Sequence, residues 1–248
     1  MTTQVTPRIQ AMKTLPPSQR SCLHHVGEQT EFKLCTNDYQ CSRCEFDQVF
    51  DDQYSVQAVL RPVEAMEVGG CRVPQGYYLH QGHSWVKIEE GSLVRIGIDD
   101  FALRLLGPLD RVEMPLMGKV VEQGKPHMKV TRGMHHAGVL SPVSGVVTAV
   151  NTKLREQGNL ANQDPYAQGW VMSLHSKNLR KEIKGLMIAE QSARFLEQEV
   201  ERVHHLIEEV SAPLAADGGT LGNDVFGAMP QLGWERLTRT FLRTSPSS

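Results

Sequence analysis

Between residues 77 and 174 the chain consists of short runs of β-favouring residues that glycine and proline interrupt. These runs predict strands at 84–88, 93–98, 111–114, 128–130, 139–140, 146–150 and 170–174. Residues 99–106 predict one short helix, with Asp99 or Asp100 as its N-cap and Gly107 and Pro108 beyond its end. Many short strands at close spacing favour a β-sandwich or small barrel over a parallel sheet.

The overall composition is typical of a globular protein and excludes several classes of partner. The 248 residues are 40% hydrophobic and 22% charged, which predicts one or two domains with an ordinary core. Basic and acidic residues number 26 and 28, a net charge of −2 that gives no reason to expect binding to nucleic acid. No apolar run has the length of a membrane span, and residues 1–21 form a polar, flexible N-terminus without an export signal. We therefore expect a cytoplasmic protein.

Four of the five cysteines lie close together and predict a metal centre. Cys22, Cys35, Cys41 and Cys44 follow the spacing C-x12-C-x5-C-x2-C, and only Cys71 stands apart. The tight Cys41 to Cys44 spacing lets two thiolates face one ion, and the other two complete a tetrahedral set. Zinc and an iron–sulfur cluster both accept four thiolates. Because apolar residues are sparse in the Cys-rich segment, residues 22–53, we expect its folding to require the metal.

Other interpretations of these cysteines stay open at this point. The spacing matches no common zinc-finger or ferredoxin pattern, so the thiols could also be free and buried. His24 or His25 could replace one thiolate as a ligand. Cys41 and Cys44 could form a redox pair, although no βαβ pattern surrounds them.

A series of motifs in the predicted β region resembles the glycine cleavage system H-protein family. In chain order they are HSWV at 83–86, VRIGIDDFA at 94–102, VEMPLMG at 112–118, LSPVSG at 140–145, DPY at 164–166 and ARFL at 193–196. The resemblance covers residues 77–197 and implies a lipoyl-type barrel-sandwich fold, with two antiparallel sheets packed face to face. The expected fold class is α+β: a mainly β lipoyl-type domain at 77–175, an N-terminal Cys-rich segment and C-terminal helices.

The resemblance also implies where a lipoyl group would be attached. In the family, lipoate modifies a lysine at a hairpin tip seven residues before the serine that corresponds to Ser141. That position holds Met134 in this chain, and Thr131 stands where an acidic residue usually precedes the lysine. A thioether cannot form the amide bond, so we expect no lipoate here. Lys129 is the alternative attachment residue, with Lys125 further away, but strand geometry puts Lys129 on the leg of the hairpin.

Three histidines, His127, His135 and His136, accompany the same turn. Paired histidines can bind a metal or respond to pH. Neighbouring residues of a strand point to opposite faces, however, which opposes a two-histidine site. We therefore expect a polar, solvated loop.

Apolar residues of the C-terminal part recur at helical intervals. They predict one long helix over residues 176–210, with His204 and His205 at its surface. Residues 211–248 predict a loop, a short helix and a disordered tail. Trp234, Leu237 and Phe241 share one side of that short helix, which either joins the core or binds a protein partner.

These features lead to three hypotheses, none of which makes the chain an enzyme. The first is a bacterial, non-catalytic H-protein-like module that is not lipoylated, binds a metal and docks to partner proteins. The second is a true lipoyl carrier of glycine cleavage, with attachment at a displaced lysine such as Lys129. The third is a redox or iron–sulfur protein that uses the clustered cysteines. The chain contains no phosphate-binding loop, serine nucleophile motif or paired-carboxylate motif.

Overall fold

The computed structural model describes residues 12–26, 32–41, 44, 65–90, 92–210 and 220–244. The chain divides into two compact units, Met1–Pro62 and Val63–Ser248. Predictions for residues 1–11, 45–53, 211–219 and 245–248 concern positions outside the described ranges. Within those ranges, no helix combines the length and the apolarity that crossing a membrane requires.

The first unit is held together, in its described part, by a short antiparallel backbone contact. Ser21 and Leu34 form an isolated β-bridge. The N–H groups of Cys22 and Cys35 donate to carbonyls of the facing segment at 2.7 and 2.6 Å. A 3-10 turn at Pro17–Gln19 precedes the bridge residue Ser21 in the chain, and helix α1 at Leu23–Val26 follows it. The bridge therefore holds the backbones of two cysteines that lie 13 positions apart in the chain.

One arginine joins three parts of this unit. The Arg20 guanidinium donates to Asp38 Oδ1 and to the carbonyls of Leu15 and Lys13, each at 2.8 Å. Charge-assisted bonds of this kind are stronger than neutral ones. They restrain the loop that contains Asp38, which follows Cys35.

The second unit is mainly antiparallel β-sheet. Its described strands are β1 Ala65–Val68, β2 Cys71–Pro74, β3 Tyr77–Leu79, β4 Ser84–Ile88, β5 Leu93–Ile98, β6 Arg111–Glu113, β7 Val120–Val121, β8 Pro126–Arg132, β9 His135–Leu140, β10 Gly145–Val150, β11 Trp170–His175 and β12 Met187–Ile188. They form a seven-stranded sheet in the order β12-β3-β4-β5-β11-β10-β7, a three-stranded sheet β6-β8-β9, and the hairpin β1-β2. Its helices are α2 Asp100–Leu106, α3 Asn159–Gln163, α4 Leu179–Glu182, α5 Glu190–Val210, α6 Val225–Ala228 and α7 Trp234–Leu237.

The two larger sheets share one hydrophobic core. Because side chains alternate along a strand, Val86, Ile96 and Met172 of the seven-stranded sheet meet Val130 and Val139 of the three-stranded sheet. Each of these buried side chains stabilises the fold by about 1.5–3 kcal/mol. This is the lipoyl-type arrangement that the sequence resemblance implies, and the predicted α+β class is confirmed.

Several predicted elements agree closely with the structure, and the hairpin strands do not. β4 and β5 have the predicted bounds, and Asp99 rather than Asp100 caps α2, accepting the Ala102 N–H at 2.9 Å. β8 and β9 are much longer than the predicted 128–130 and 139–140. Their additional residues include His135 and His136, which are both polar and exposed. The alternation of apolar and polar residues that predicts a strand is therefore absent there.

The long helix predicted over residues 176–210 is interrupted. The structure has α4, a 3-10 turn at Ile183–Gly185, the short strand β12, and then α5 from Glu190. Met187 of β12 pairs with Leu79 of β3, so backbone pairing with the sheet replaces helical hydrogen bonds here. Ala189, with φ +51°, then turns the chain into α5.

Residues 220–244 are hereafter called the C-terminal segment. Together with helix α5, this segment completes a second hydrophobic core. Val203 of α5, Phe101 of α2, Trp85 of β4, and Leu237 and Phe241 of the C-terminal segment belong to it. The aromatic side of the predicted C-terminal helix is therefore part of the core. A π-helical turn at Thr238–Leu242 extends α7 and carries Phe241.

His83, just before β4, is fully buried against the second hydrophobic core. Its ring lies between Phe101 and Phe195, at centroid distances of 4.3 and 5.1 Å. Nδ1 is 2.8 Å from Asp99 Oδ2, and Nε2 is 3.7 Å from Glu199 Oε2. Burial by itself would lower the pKa of His83, but the two carboxylates outweigh burial and raise the pKa to about 9. The ring is therefore a cation at neutral pH.

The partners of His83 connect it to the surrounding helices. Asp99 is also the N-cap of α2. Glu199 of α5 accepts hydrogen bonds through Oε1 from Arg202 at 2.8 Å and from Arg243 of the C-terminal segment at 3.3 Å. Burial opposes the ionisation of Glu199, but His83 and the arginines outweigh it and lower its pKa. The buried cation thus links β4, α2, α5 and the C-terminal segment.

Raising the pH above neutrality is expected to destabilise the protein. The pKa of His83 is about 9 when folded, against an ordinary value of 6.5. Its stabilising contribution is therefore complete below pH 6.5 and is lost as the pH rises through 9. The free energy of unfolding should fall by about 1.4 kcal/mol per pH unit within this window. Urea unfolding at a series of pH values measures the slope.

Two variants test whether His83 causes that slope. His83→Gln removes the titrating group and should flatten the pH dependence. Glu199→Gln removes one of the two carboxylates that hold the proton, so the fall should move to lower pH. A wild-type slope in both variants would contradict the assignment.

Candidate functional site

The β8–β9 hairpin ends in a two-residue turn. Arg132 pairs with His135, which leaves Gly133 and Met134 as the turn. Gly133 has φ +56°, a left-handed conformation that glycine adopts without the steric penalty of a side chain. The Met134 side chain is 90% exposed and projects from the tip of the hairpin.

The lysines near this hairpin are not at its tip. Lys129 lies within β8 opposite Gly138 and is half-buried. Lys125 is exposed but precedes β8, and its carbonyl accepts the Ser141 N–H at 2.8 Å. Amide attachment of lipoate needs a primary amine, and the Met134 thioether supplies none. The tip of this hairpin therefore does not fit a lipoyl group.

The three histidines of the hairpin have separate surroundings. His135 stacks on Trp234 at 5.3 Å, and His136 Nδ1 lies 3.1 Å from Thr131 Oγ1. His127 Nε2 accepts the N–H of Glu122 at 3.0 Å. Among the residues that the structure describes, no group of three or more His, Cys, Asp or Glu side chains is arranged to hold a metal ion.

An ion pair ties the hairpin to the C-terminal segment. Arg132 donates to both carboxylate oxygens of Asp224, at 2.6 and 2.8 Å. Burial opposes the ionisation of Asp224, but Arg132 and the N–H of Gly227 outweigh it and lower the pKa of this carboxyl. The guanidinium also lies over the Phe226 ring, 5.4 Å from its centroid. Two-point contact of this kind fixes the direction of the Arg132 side chain.

The C-terminal segment also covers the edge of β9. This strand is the outer strand of its sheet. Trp234 Nε1 donates to the His136 carbonyl at 2.9 Å, and Thr244 Oγ1 donates to the Gly138 carbonyl at 3.0 Å. Side-chain donors thus take the place of a neighbouring strand and protect an edge that would otherwise be open to pairing.

The base of the tip is held from the other side by Asp110. Its Oδ2 accepts the Gly133 N–H at 2.6 Å, and its own N–H donates to the Thr131 carbonyl at 2.9 Å. Contacts on both sides therefore restrain the backbone of the turn, while the Met134 side chain points outward.

The predicted metal ligands lie in the first unit. Cys22 and Cys35 flank the β-bridge, and the N–H of Cys44 donates to the Cys41 carbonyl at 2.8 Å, as in a tight turn. All four cysteines are half-buried, whereas Cys71 is fully buried in β2 of the second unit. His25 contacts Phe32, and the His24 side chain is outside the described part of the chain.

Sequence reasoning missed the role of the C-terminal segment at the hairpin. Asp224 lies 92 positions from Arg132, and no local pattern connects the two residues. The sequence places Trp234 among several apolar residues on one side of a helix, and no local pattern indicates that its indole N–H donates to the His136 carbonyl of β9.

Comparisons with known proteins match the second unit. The sequence model described as Glycine cleavage H-protein matches residues 77–199. A probable glycine cleavage system H protein of Pyrococcus furiosus is 39% identical over 131 residues, 53% of this chain and 97% of the relative. The glycine cleavage system H protein of Rubrobacter xylanophilus is 36% identical over 129 residues, 52% of this chain and 98% of the relative.

A solved structure was also matched. The crystal structure of a glycine cleavage system H protein from Mycobacterium marinum is 25% identical, with a TM-score of 0.43, over 51% of this chain and 98% of that chain. The relatives are matched almost over their full length, yet they correspond to about half of this chain. The cysteines of the first unit and the C-terminal segment lie outside the residues that the family model matches.

Breaking the ion pair at the hairpin is expected to loosen the tip without unfolding the protein. Asp224→Asn keeps a side chain that can cap α6 but removes the charge that faces Arg132. We expect a stability loss of about 1 kcal/mol. Faster amide exchange should be confined to residues 131–137. Hydrogen exchange read by mass spectrometry measures both effects.

Glu190→Gln is the matched control, because it removes an exposed ion pair with Arg194 that lies wholly within α5. It should leave exchange in the hairpin unchanged. Equal exchange at the tip in Asp224→Asn and in the wild type would show that Arg132 and Asp224 do not restrain the turn.

Proposed function

The chain belongs to the glycine cleavage H-protein family, and we propose that it acts there as a non-catalytic docking module that carries no lipoate. H-proteins are lipoyl carriers and not themselves enzymes. The proposed module keeps the carrier fold and the non-catalytic character. It differs from a carrier in what the hairpin presents to partners.

The observation that carries the proposal is the side chain at the hairpin tip. Met134 is 90% exposed and has no side-chain amine to acylate. The contacts of the hairpin with the C-terminal segment support the same conclusion. A swinging carrier arm needs a tip that partner enzymes can accept, whereas Arg132 and His135 on this hairpin contact the C-terminal segment.

The alternative function, a lipoyl carrier with a displaced lysine, receives less support. Lys129 is the nearest lysine in β8, but it is half-buried and lies opposite Gly138 on the leg of the hairpin. Acylation there would require a ligase to reach the flank of a paired strand rather than its tip.

Exposed apolar side chains support the docking role. Met134 is one such side chain, at the hairpin tip. Around β7 there is a second exposed group, with exposures from 62% to 67%: Leu116, Met117 and Val120. Large exposed apolar residues mark protein-interaction sites when they cluster. We propose that partner proteins bind these side chains, and that no nucleic acid is involved.

We also propose that Cys22, Cys35, Cys41 and Cys44 bind one metal centre, either zinc or an iron–sulfur cluster. Two observations support the proposal: the β-bridge lies beside Cys22 and Cys35, and the N–H of Cys44 donates to the Cys41 carbonyl at 2.8 Å. Thiolate ligands of this kind remain reduced in the cytoplasm, where we propose the protein resides. If the centre is an iron–sulfur cluster, a redox role is the remaining alternative.

The lipoylation state is testable by the mass of the intact chain. Wild-type protein purified from a host that lipoylates its own carriers should have the mass of the unmodified sequence, because no amine stands at the tip. Met134→Lys places an amine at the same exposed position and should gain a lipoyl group in part of the molecules. Mass spectrometry of the denatured chain distinguishes the two.

Lys129→Arg is the control for a displaced attachment site. If the wild type carries a lipoyl group and Lys129→Arg does not, the carrier hypothesis replaces the docking proposal. An unmodified wild type together with modified Met134→Lys supports the proposal and shows that the ligase was active.

The docking role is testable by site-specific photocrosslinking in the native host. A photoreactive amino acid at Met134 should yield a discrete adduct between the chain and another protein. The same group at Lys177, an exposed residue outside both apolar sites, should not. Equal crosslinking at the two positions would contradict docking through the tip.

A further inference from the structure

The edge of the seven-stranded sheet at β7 leaves apolar side chains open to solvent. β7 is an outer strand of that sheet and pairs with β10, Val120 opposite Val146. Val121 is fully buried in the core, so its neighbour Val120 points outward and is 67% exposed. Leu116 and Met117, just before this strand, are 62% and 65% exposed. Large apolar side chains that cluster in this way mark interaction sites.

Backbone hydrogen bonds hold the loop before β7 against β10. The Gly118 N–H donates to the Val147 carbonyl at 2.8 Å, and the Val147 N–H donates to the Lys119 carbonyl at 2.9 Å. The Lys119 N–H donates to the Leu116 carbonyl at 3.2 Å and closes a turn. A partner that binds the exposed apolar side chains therefore does not have to order this loop first.

Helix α4 lies beside the same edge of the sheet. Glu182 Oε2, at the end of α4, accepts the Ser144 N–H at 2.7 Å, and the Glu182 carbonyl accepts Gln123 Nε2 at 3.3 Å. Ser144 directly precedes β10, and Gln123 follows β7. These two bonds join the end of α4 to both strands of the edge.

The charged side chains around this edge are mainly basic. Residues 119–125 and 179–184 contain five exposed basic residues: Lys119, Lys125, Arg180, Lys181 and Lys184. Within the described part of the chain none of the five takes part in an ion pair. The acidic residues of the two stretches are Glu122 and Glu182, and the Glu182 carboxylate already accepts the Ser144 N–H. The positive charge is local, because the whole chain has a net charge of −2.

These five basic residues, together with Leu116, Met117 and Val120, are called the β7 surface. Lys177 lies outside it, beside the turn between β4 and β5, because the N–H of its neighbour Ser176 donates to the Ser92 carbonyl at 2.9 Å.

We infer that the β7 surface binds an acidic segment of a partner protein that also carries apolar side chains. This inference rests on the docking function proposed above and adds the chemistry of the partner. Apolar side chains of the partner cover Leu116, Met117 and Val120, and its carboxylates face the unpaired basic residues around them. Complementary charge of this kind speeds association and excludes partners of like charge.

The charge of the whole chain favours a protein segment over a membrane or a nucleic acid. Both of these bind proteins through an extended excess of positive charge. This chain has a net charge of −2, and α5 exposes Glu197, Glu201 and Glu208. A short acidic segment needs only the local charge of the β7 surface, because at physiological salt charges act over about 8 Å.

The inference is testable by photocrosslinking the full chain, with a photoreactive amino acid at Met117, in a lysate of the native host. A discrete adduct should form, and mass spectrometry of its peptides should place the crosslink in a segment rich in Asp and Glu. Lys181→Glu combined with Lys184→Glu reverses two charges and should reduce the adduct about 10-fold. Salt at about 1 M should also reduce it, because the screening length falls to about 3 Å.

Lys153→Glu combined with Arg239→Glu is the matched control. Both residues are exposed and lie outside the β7 surface, and the double change alters the net charge by the same amount. The control should leave the adduct at Met117 unchanged. Thermal unfolding of both double variants checks that each keeps the fold.

The outcomes separate this inference from the docking role. If Met134 gives an adduct and Met117 does not, the docking role stands and the β7 surface is wrong. If neither position crosslinks, both are wrong. An adduct at Met117 that survives the Lys181 and Lys184 reversals would overturn the acidic partner. So would an adduct between two copies of this chain, or binding to phosphatidylglycerol vesicles that the same reversals abolish.

Discussion

The buried His83 cation is the interaction on which the second unit depends. It lies between two phenylalanine rings and faces two carboxylates, Asp99 and Glu199, in a place that water does not reach. A buried charge is stable only when opposite charges and hydrogen bonds compensate for the lost hydration. Each partner therefore helps to hold the proton on His83, and each belongs to a different part of the fold. The protonated His83 ring, just before β4, therefore connects the sheet to α2 through Asp99 and to α5 through Glu199.

The same dependence extends to the C-terminal segment. Arg243 contacts Glu199 at the buried cation, and Asp224 and Trp234 contact the β8–β9 hairpin. This segment lies outside the residues that the H-protein family model matches, yet it completes the second hydrophobic core. In a lipoyl carrier this hairpin presents its tip to partner enzymes. In this chain the same hairpin contacts the C-terminal segment through Arg132 and His135. The Met134 side chain at its tip is apolar and 90% exposed.

The first unit follows a different physical plan. Among its described residues only Tyr39 has a buried hydrophobic side chain, and this part is held by a β-bridge, one arginine with three acceptors, and a turn with two left-handed residues. Such a unit gains little from the hydrophobic effect. The metal centre proposed above would supply the missing stability through a few strong bonds.

The sequence by itself determined the lipoyl-type fold, the strands β4 and β5, the cap of α2 and the methionine at the hairpin tip. These features depend on local patterns: alternation of apolar residues, a capping aspartate, and motifs in a fixed order. The tertiary structure alone decided the interruption of the predicted helix over 176–210, the partners of His83, and the attachment of residues 220–244 to β9. Each of these depends on residues far apart in the chain, such as Met187 with Leu79 or Arg132 with Asp224. Hydrogen bonds and ion pairs between distant residues leave no periodic trace in a sequence, because their energy depends only on where folding brings the two groups.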